Sequence, residues 1–435
     1  MTEGKPGKIL WRFALPVLCS VAFQQMYQIA DSVIAGRCVG GSALAAIGAS
    51  YPVTMLFMAV ATGLNLGCSV AVSQLFGAKD YSRMKTAVST SILSTLAISL
   101  VLMAAGLLFC EGMLGALGTD AYIFDDAALY LRIYLYGMAF LFLYNICTGI
   151  FNALGDSRTP LYLLIGSSVG NVILDYVLVT AFDMGVAGVA WATFLAQGVS
   201  SILATLTLMR RIRKLETDEP VQRFNRSLLP IMAGVAVPSI CQQSFVSIGI
   251  FLVQGIINDL GSVTVAAFAA ALKISTFACV LINTLPTALT SFASQNIGAG
   301  RLDRAREGLK YSIWIAEALI VVINAAFFLF GDHLVGAFVS GSYQAEVIVQ
   351  GTLFLHIVAP FYTLIGVKNS CDSVLRGGGV MGQFMATTFA DLALRVIFSY
   401  VFARTLGFYS ICLAYPFGWI FGTLLSVVYY KMGRW

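Results

Sequence analysis

The sequence predicts an all-α, polytopic membrane protein: twelve transmembrane helices in two pseudo-symmetric six-helix lobes. Three observations carry that reading. Of 435 residues, 59% are hydrophobic and 11% charged, well below the roughly 25% charged residues of soluble domains, and mean hydropathy is +0.86. Apolar windows long enough to cross a bilayer recur twelve times. Landmarks of the first half of the chain return in the second half at a nearly fixed offset. The net charge of +5 argues for no nucleic acid, because the cations have a topological role. The expected partners are the lipid bilayer and a small organic molecule, and the chain is expected to act as a monomer.

The spans fall near 9–36, 43–75, 83–109, 127–154, 160–181 and 186–209, then 227–257, 263–297, 307–331, 344–375, 381–403 and 408–430. In the third, Ser91 to Cys110 carries no charge. Loop cations fall on one side: Lys5, Lys8, Lys79, Arg83, Lys85, Arg158, the run Arg210 to Lys214, Arg301, Arg304, Arg306 and Lys431. The opposite loops hold acids, among them Glu111, Asp120, Asp183, Asp259, Asp332 and Glu346. The positive-inside rule then puts both termini in the cytoplasm and the protein in the cytoplasmic (inner or plasma) membrane. No cleavable signal peptide is expected, since no small-residue cleavage pattern follows a brief apolar run.

The chain divides into an N-lobe, 1–209, a charged cytoplasmic linker, 210–226, and a C-lobe, 227–435. Six spans per half give both halves one orientation, so the repeat is parallel. Ala14-Leu15-Pro16 matches Ala236-Val237-Pro238. Ser73 to Ala78 matches Ser294 to Ala299, with a single deletion in the second half between the two landmarks. Gly185 and Gly407 pair near the start of the last span of each half.

The first span holds Gln24, Tyr27, Gln28 and Asp31, and Gln24, Gln28 and Asp31 share one helical face. A carboxylate at bilayer depth costs about 2.5–3.5 kcal/mol on insertion scales. Either it lines a wet pathway or ion site, or a neighbouring helix satisfies it. Asn171 and Asp175, four apart, share a face of the fifth span. In the second half Asp31 aligns with Leu252 or Val253, so that carboxylate is not repeated. Asp391 and Arg395 stand four apart, as do Lys368 and Asp372, and each pair can neutralise itself. These four charges are either structural braces or part of an ion pathway. Lys273 is expected to face the protein interior, with a snorkelling position as the alternative. Pro16 reads as a hinge or a tolerated kink. The nine cysteines include no CxxC, and the two histidines, His333 and His356, form no cluster, so no metal site and no cofactor are expected.

Several of these stretches resemble the multidrug and toxic compound extrusion (MATE) transporters of the MOP superfamily. They are Tyr27 to Gly36, Ala43 to Gly48, Gln74 to Ala78, Gly155 to Pro160 and Leu375 to Gly379. The resemblance covers nearly the whole chain and is nearest the prokaryotic DinF-like branch, which keeps the acid of the first helix. It implies a cation-coupling site in the N-lobe at Asp31, Asn171, Asp175 and Thr193. It also implies a substrate cavity or hinge to which Pro16, Gln24, Tyr27, Gln28 and Lys273 are assigned. The family's acid on the seventh helix is absent, since Val246 stands there.

The expected function is a secondary active antiporter that exports organic, cationic or amphipathic compounds in exchange for H⁺ or Na⁺. No enzyme activity is expected. The alternatives are a lipid-linked oligosaccharide flippase of the same superfamily, or an intramembrane enzyme, for which no nucleophile-and-base constellation appears.

Overall fold

The computed structural model describes residues 1–217, 219–339, 344–433 and 435. Within them, the first half contributes α1 (Pro6–Ile34), α2 (Gly41–Gly77), α3 (Tyr81–Ala116), α4 (Ala121–Tyr136), α5 (Met138–Ala153), α6 (Arg158–Thr180) and α7 (Gly185–Arg213). The second half contributes α8 (Leu229–Asp259), α9 (Ser262–Gly298), α10 (Leu302–Gly336), α11 (Gln344–Val358), α12 (Tyr362–Gly377), α13 (Met381–Leu406) and α14 (Phe408–Lys431). Eleven spans, counting α11 through α12 as one, are long and apolar enough to cross a membrane. The α4–α5 pair passes the same test across a 49° bend. The twelve expected spans are therefore present, two of them broken.

The breaks have local causes and fall at matching places in the repeat. Pro360, in the short turn Ala359–Phe361, has no amide hydrogen and its ring crowds the preceding turn. Gly137 separates α4 from α5, and the offset that pairs Pro16 with Pro238 also pairs Gly137 with Ala359. Backbone geometry repeats as well. Gly185 and Gly407 open α7 and α14 at φ 54° and 53°, a region that any Cβ would strain. Lys79 (φ 61°) occupies the left-handed position that Gly300 (φ 71°) fills at the matching place of the second half. The third helix outruns its expected limits of 83–109 at both ends, with Asp80 capping its start by accepting from Arg83 N at 3.0 Å.

Two compact units emerge: Leu15–Ile240, and Met1–Ala14 with Cys241–Trp435. In the first, α2 packs on α3, α4 and α5 around Phe142, Phe151, Leu131 and Leu135. Ser69 and Ser73 of α2 donate to the carbonyls of Gly149 and Ala153 on α5 at 3.1 and 3.3 Å. Gly149 is obligatory, since a Cβ there would stand 1.6 Å from Asn65 Oδ1. The opening turns of α8 lie on α2 in the same way: a Cβ at Gly67 would meet Met232 O at 2.4 Å.

The segment after α7 is not a free tether. It is strapped along α3 through hydroxyls spaced down one side of that helix. Ser82 donates to the carbonyls of Glu219 and Pro220, and Ser89 donates to that of Arg223. Thr86 and Thr90 accept from the backbone amides of Gln222 and Asn225 at 3.2 and 3.0 Å.

In the second unit α9 is central, packed against α10, α11 and α12. Leu289, Phe292, Leu309 and Val374 form a buried cluster with Leu10. The α13–α14 pair closes over Lys368 and Asp391, whose atoms would touch a Cβ at Gly422 at 2.9 and 3.1 Å.

Candidate functional site

Helical spacing on α1 puts Tyr27 and Asp31 one turn apart, both half-buried, while Gln24 and Gln28 are exposed. Asn171 and Asp175 occupy successive turns of α6, 2% and 0% exposed. α7 returns beside α6 after a short loop and brings Thr193 to their level. The three helices meet at these side chains. With its amide nitrogen turned toward them, Asn171 donates to Tyr27 Oη and to Asp175 Oδ2, both at 3.1 Å. Its oxygen accepts from the Thr193 backbone amide at 3.1 Å. The Thr193 hydroxyl donates to Val189 O at 3.1 Å and lies within hydrogen-bonding reach of the Tyr27 phenol.

The carboxyl groups of Asp31 and Asp175 lie within hydrogen-bonding reach of each other. Among the described residues, Oδ1 of each is buried without a hydrogen-bond partner. Two adjacent carboxylates repel in a low dielectric, so the pair needs a proton or a cation. The oxygens around the pair are two carboxyls, a phenol and a hydroxyl, with the Asn171 nitrogen turned toward them, a set that suits a hard cation or a proton and not a soft metal. Just past Asp31, residues Ala35–Val39 widen into a π-helical turn, a distortion often found at functional sites.

Two residues that the sequence reading passes over also face this group. Tyr130 and Tyr134, one turn apart on α4, are both half-buried. Tyr130 lies close enough to feel the charges of Asp31 and Asp175. A tyrosine pair at helical spacing inside an apolar span is the available signal. Beside Tyr134, a small crevice is lined by Gly137, Leu141, Thr193, Phe194 and Gln197 among others.

The remaining candidates lie apart from this cluster. Pro16 sits within α1, its carbonyl accepting from Ser20 Oγ at 2.9 Å. Lys273 belongs to the second unit; it is exposed on α9, its ammonium 5.9 Å from the Phe338 ring centre. Lys368 Nζ donates to Asp372 Oδ2 at 2.9 Å, with side chains 7% and 2% exposed. The Thr387 and Ser426 hydroxyls serve the other Asp372 oxygen. Arg395 donates to Asp391 Oδ1 at 3.0 Å and lies 4.5 Å over the Tyr415 ring.

In the loop before α6, Asp156 accepts from the backbone amides of Arg158 and Thr159 at 3.1 Å and from the Thr159 hydroxyl at 2.8 Å, and it pairs with Arg211. Burial opposes its charge, but the Thr159 hydrogen bonds and the Arg211 guanidinium outweigh burial and hold the carboxyl below its ordinary range.

The comparisons with known proteins agree with this architecture. A probable multidrug resistance protein of Bacillus subtilis, YoeA, is 27% identical over 99% of this chain and 96% of its own length. The multidrug export protein MepA of Staphylococcus aureus is 22% identical over 90% of this chain and 86% of its own. A MOP superfamily transporter from Pyrococcus furiosus superposes with a TM-score of 0.91 at 24% identity, over 99% of this chain and 96% of that one. An outward-facing multidrug resistance MATE family transporter gives 0.90 at the same identity and coverage. The MatE family model matches residues 16–177 and 238–401, most of both halves, and the chain belongs to that family of transporters.

Proposed function

We propose that the chain is a secondary active antiporter that exports organic, cationic or amphipathic compounds across the cytoplasmic membrane in exchange for H⁺ or Na⁺. The observation that carries this reading is the contact between Asp31 and Asp175, with Asn171, Tyr27 and Thr193 around it. Occupancy by an ion relieves the repulsion between the two acids, and its departure restores it, so the packing of α1 against α6 and α7 depends on ion binding. The similarity to proteins named for multidrug resistance and multidrug export supports an organic cargo. The cation-rich loops support an orientation with both chain ends in the cytoplasm; the chain is read as an N-lobe of 1–209, a linker of 210–226 and a C-lobe of 227–435, acting as a monomer.

A flippase for lipid-linked oligosaccharides is less well supported. Binding a diphosphate calls for several free cations, and of Lys273, Lys368 and Arg395 the last two are engaged by Asp372 and Asp391. The deciding experiment is efflux from reconstituted, energised vesicles with an imposed pH or Na⁺ gradient, for the unaltered protein and Asp31→Asn. Gradient-driven efflux in the first and none in the second supports the reading. Equal efflux in both sinks it.

A further inference from the structure

Glu317 is the sixteenth residue of the 35-residue α10, about 22 Å from its start and within an apolar span. Among the described residues it makes no ion pair. Its Oε1 is buried with no hydrogen-bond partner there, while the Thr363 hydroxyl on α12 reaches the carboxyl. The group fits because Gly366 of α12 leaves room. A Cβ at Gly366 would stand 3.2 Å from Glu317 Oε1 and 2.9 Å from Ile320 Cδ1.

Glu317 does not stand alone on this seam. Asn324, seven residues on and so on the same helical face, has a buried Oδ1 without a partner. Thr352 Oγ1, on α11, is in the same position. Thr352 and His356 close on Gly331, where a Cβ would lie 2.9 Å from Thr352 Cγ2 and 3.3 Å from His356 Nε2. His356 Nε2 is 3.1 Å from Phe327 O. Below Glu317, the hydroxyls of Ser312 and Ser370 share a hydrogen bond of 3.2 Å. Glu317 and Asn324 thus mark one face of α10 about 10 Å apart along the helix, and Thr352 and His356 of α11 stand two turns further on, at Gly331. Native proteins leave few buried polar atoms unserved, and three along one seam call for bridging water.

We propose that Glu317 is a second proton-binding carboxyl, reached along this seam from the His356 end. Binding adds one proton to a carboxylate oxygen and release returns it to water, so no further reactant is required. A bare cation would want several oxygen ligands and would find the carboxyl and one hydroxyl. Among the described residues, no charged group faces Glu317 from the helices packed on α10. On α9, Lys273 lies against Phe338, and Cys279 feels Arg395. On α12, Lys368 and Asp372 hold each other and Arg376 lies over Phe384. Glu346 of α11 is exposed, as are Lys310, Tyr311, Asp332 and His333 of α10 itself. Along the path stand His356 and the buried Tyr362 of α12, whose ring packs on Phe327 and whose hydroxyl pairs with Ser275.

This claim does not depend on the coupling reading at Asp31 and Asp175, and the experiment separates the two. The full chain, reconstituted in lipid, is followed by infrared difference spectroscopy across a pH step. A protonated-carboxyl stretching band should respond to pH, vanish in Glu317→Gln and persist in Asp31→Asn. Its exchange into D₂O should slow in Asn324→Leu. If Glu317→Gln does not fold, Glu317→Asp carries the test, because the band should then move. A spectrum unchanged by these Glu317 substitutions overturns the proposal. So does a Glu317 band that neither responds to pH nor exchanges. Loss of gradient coupling in Asp31→Asn bears on the antiport reading alone.

Discussion

Asn171 donates to Asp175 Oδ2 across 3.1 Å, one turn apart on α6. The same amide nitrogen reaches Tyr27 of α1 at 3.1 Å, and its oxygen takes the Thr193 amide of α7. One side chain thereby ties three helices at the place where two acids meet. Replacing it with leucine leaves a buried acceptor unserved, at a cost of about 1–3 kcal/mol. Asn171→Leu should therefore melt earlier in detergent than the unaltered protein and transport poorly, while Asn171→Ser should recover part of both. Equal melting temperatures for all three would contradict the tie.

The acid pair makes a sharper demand on function. Asp31→Asn and Asp175→Asn should each insert and fold, yet cut gradient-driven efflux by about tenfold or more, equivalent to about 1.4 kcal/mol or more. The double variant should be little worse than either single one, because a site that works as a unit is lost once. Independent, multiplying losses in vesicle efflux would argue for two separate roles.

The buried pairs of the second unit should behave differently. Lys368→Met strands Asp372, and removing one partner of a buried pair costs about 3–5 kcal/mol. Lys368→Met with Asp372→Leu should cost less than the single change, since no unpaired charge remains. Thermal melts of the purified proteins read this directly. A double variant that is stable but has lost ion coupling would assign these charges to an ion pathway instead.

Asp156 gives a pH dependence whose sign follows from its environment. Its folded carboxyl lies below the ordinary range, so its stabilisation is complete above the unfolded value and is lost as pH falls through the folded one. Melting temperature should therefore fall on the acid side in the unaltered protein. Asp156→Asn should be less stable at neutral pH and show a flatter acid limb. An unchanged acid limb in that variant would remove Asp156 as the cause.

Gly149 offers the simplest packing test. Ala at this position would drive a methyl into Asn65 Oδ1, and overpacking typically costs about 1–3 kcal/mol. Gly149→Ala should destabilise, and Asn65→Ala should partly rescue it.

Most of the architecture is legible in the sequence, because bilayer-length apolar runs and loop charges are one-dimensional signals. The repeat shows in Pro16 and Pro238, and it returns in the matching backbone angles of Gly185 and Gly407. The bend at Gly137 is not legible, since a glycine within a continuous apolar run leaves hydropathy unchanged. Asp31, Asn171 and Asp175 stand out because their presence in an apolar helix is costly. Tyr130 and Tyr134 do not, because tyrosine is at home in membrane helices and only the approach of α4 to α1 gives the pair a role. Glu317 carries as costly a group as Asp31, but no family pattern draws attention to it. The course of the linker is not legible either: its charge and Pro220 mark it as a connection, and nothing in them shows that it is bonded along α3.

That strap places the burden of specificity on the helix beneath it. At Glu219, Pro220, Gln222, Arg223 and Asn225 the linker contributes only main-chain amides and carbonyls, while α3 contributes the side chains Ser82, Thr86, Ser89 and Thr90. Main-chain groups are common to nearly all residues, so the linker can drift in sequence and keep its course. The four hydroxyls cannot be exchanged so freely, although they look like ordinary polar residues on a long apolar helix. Mutational tolerance across this region should run opposite to what loop and helix would suggest: permissive in the connection, strict on α3.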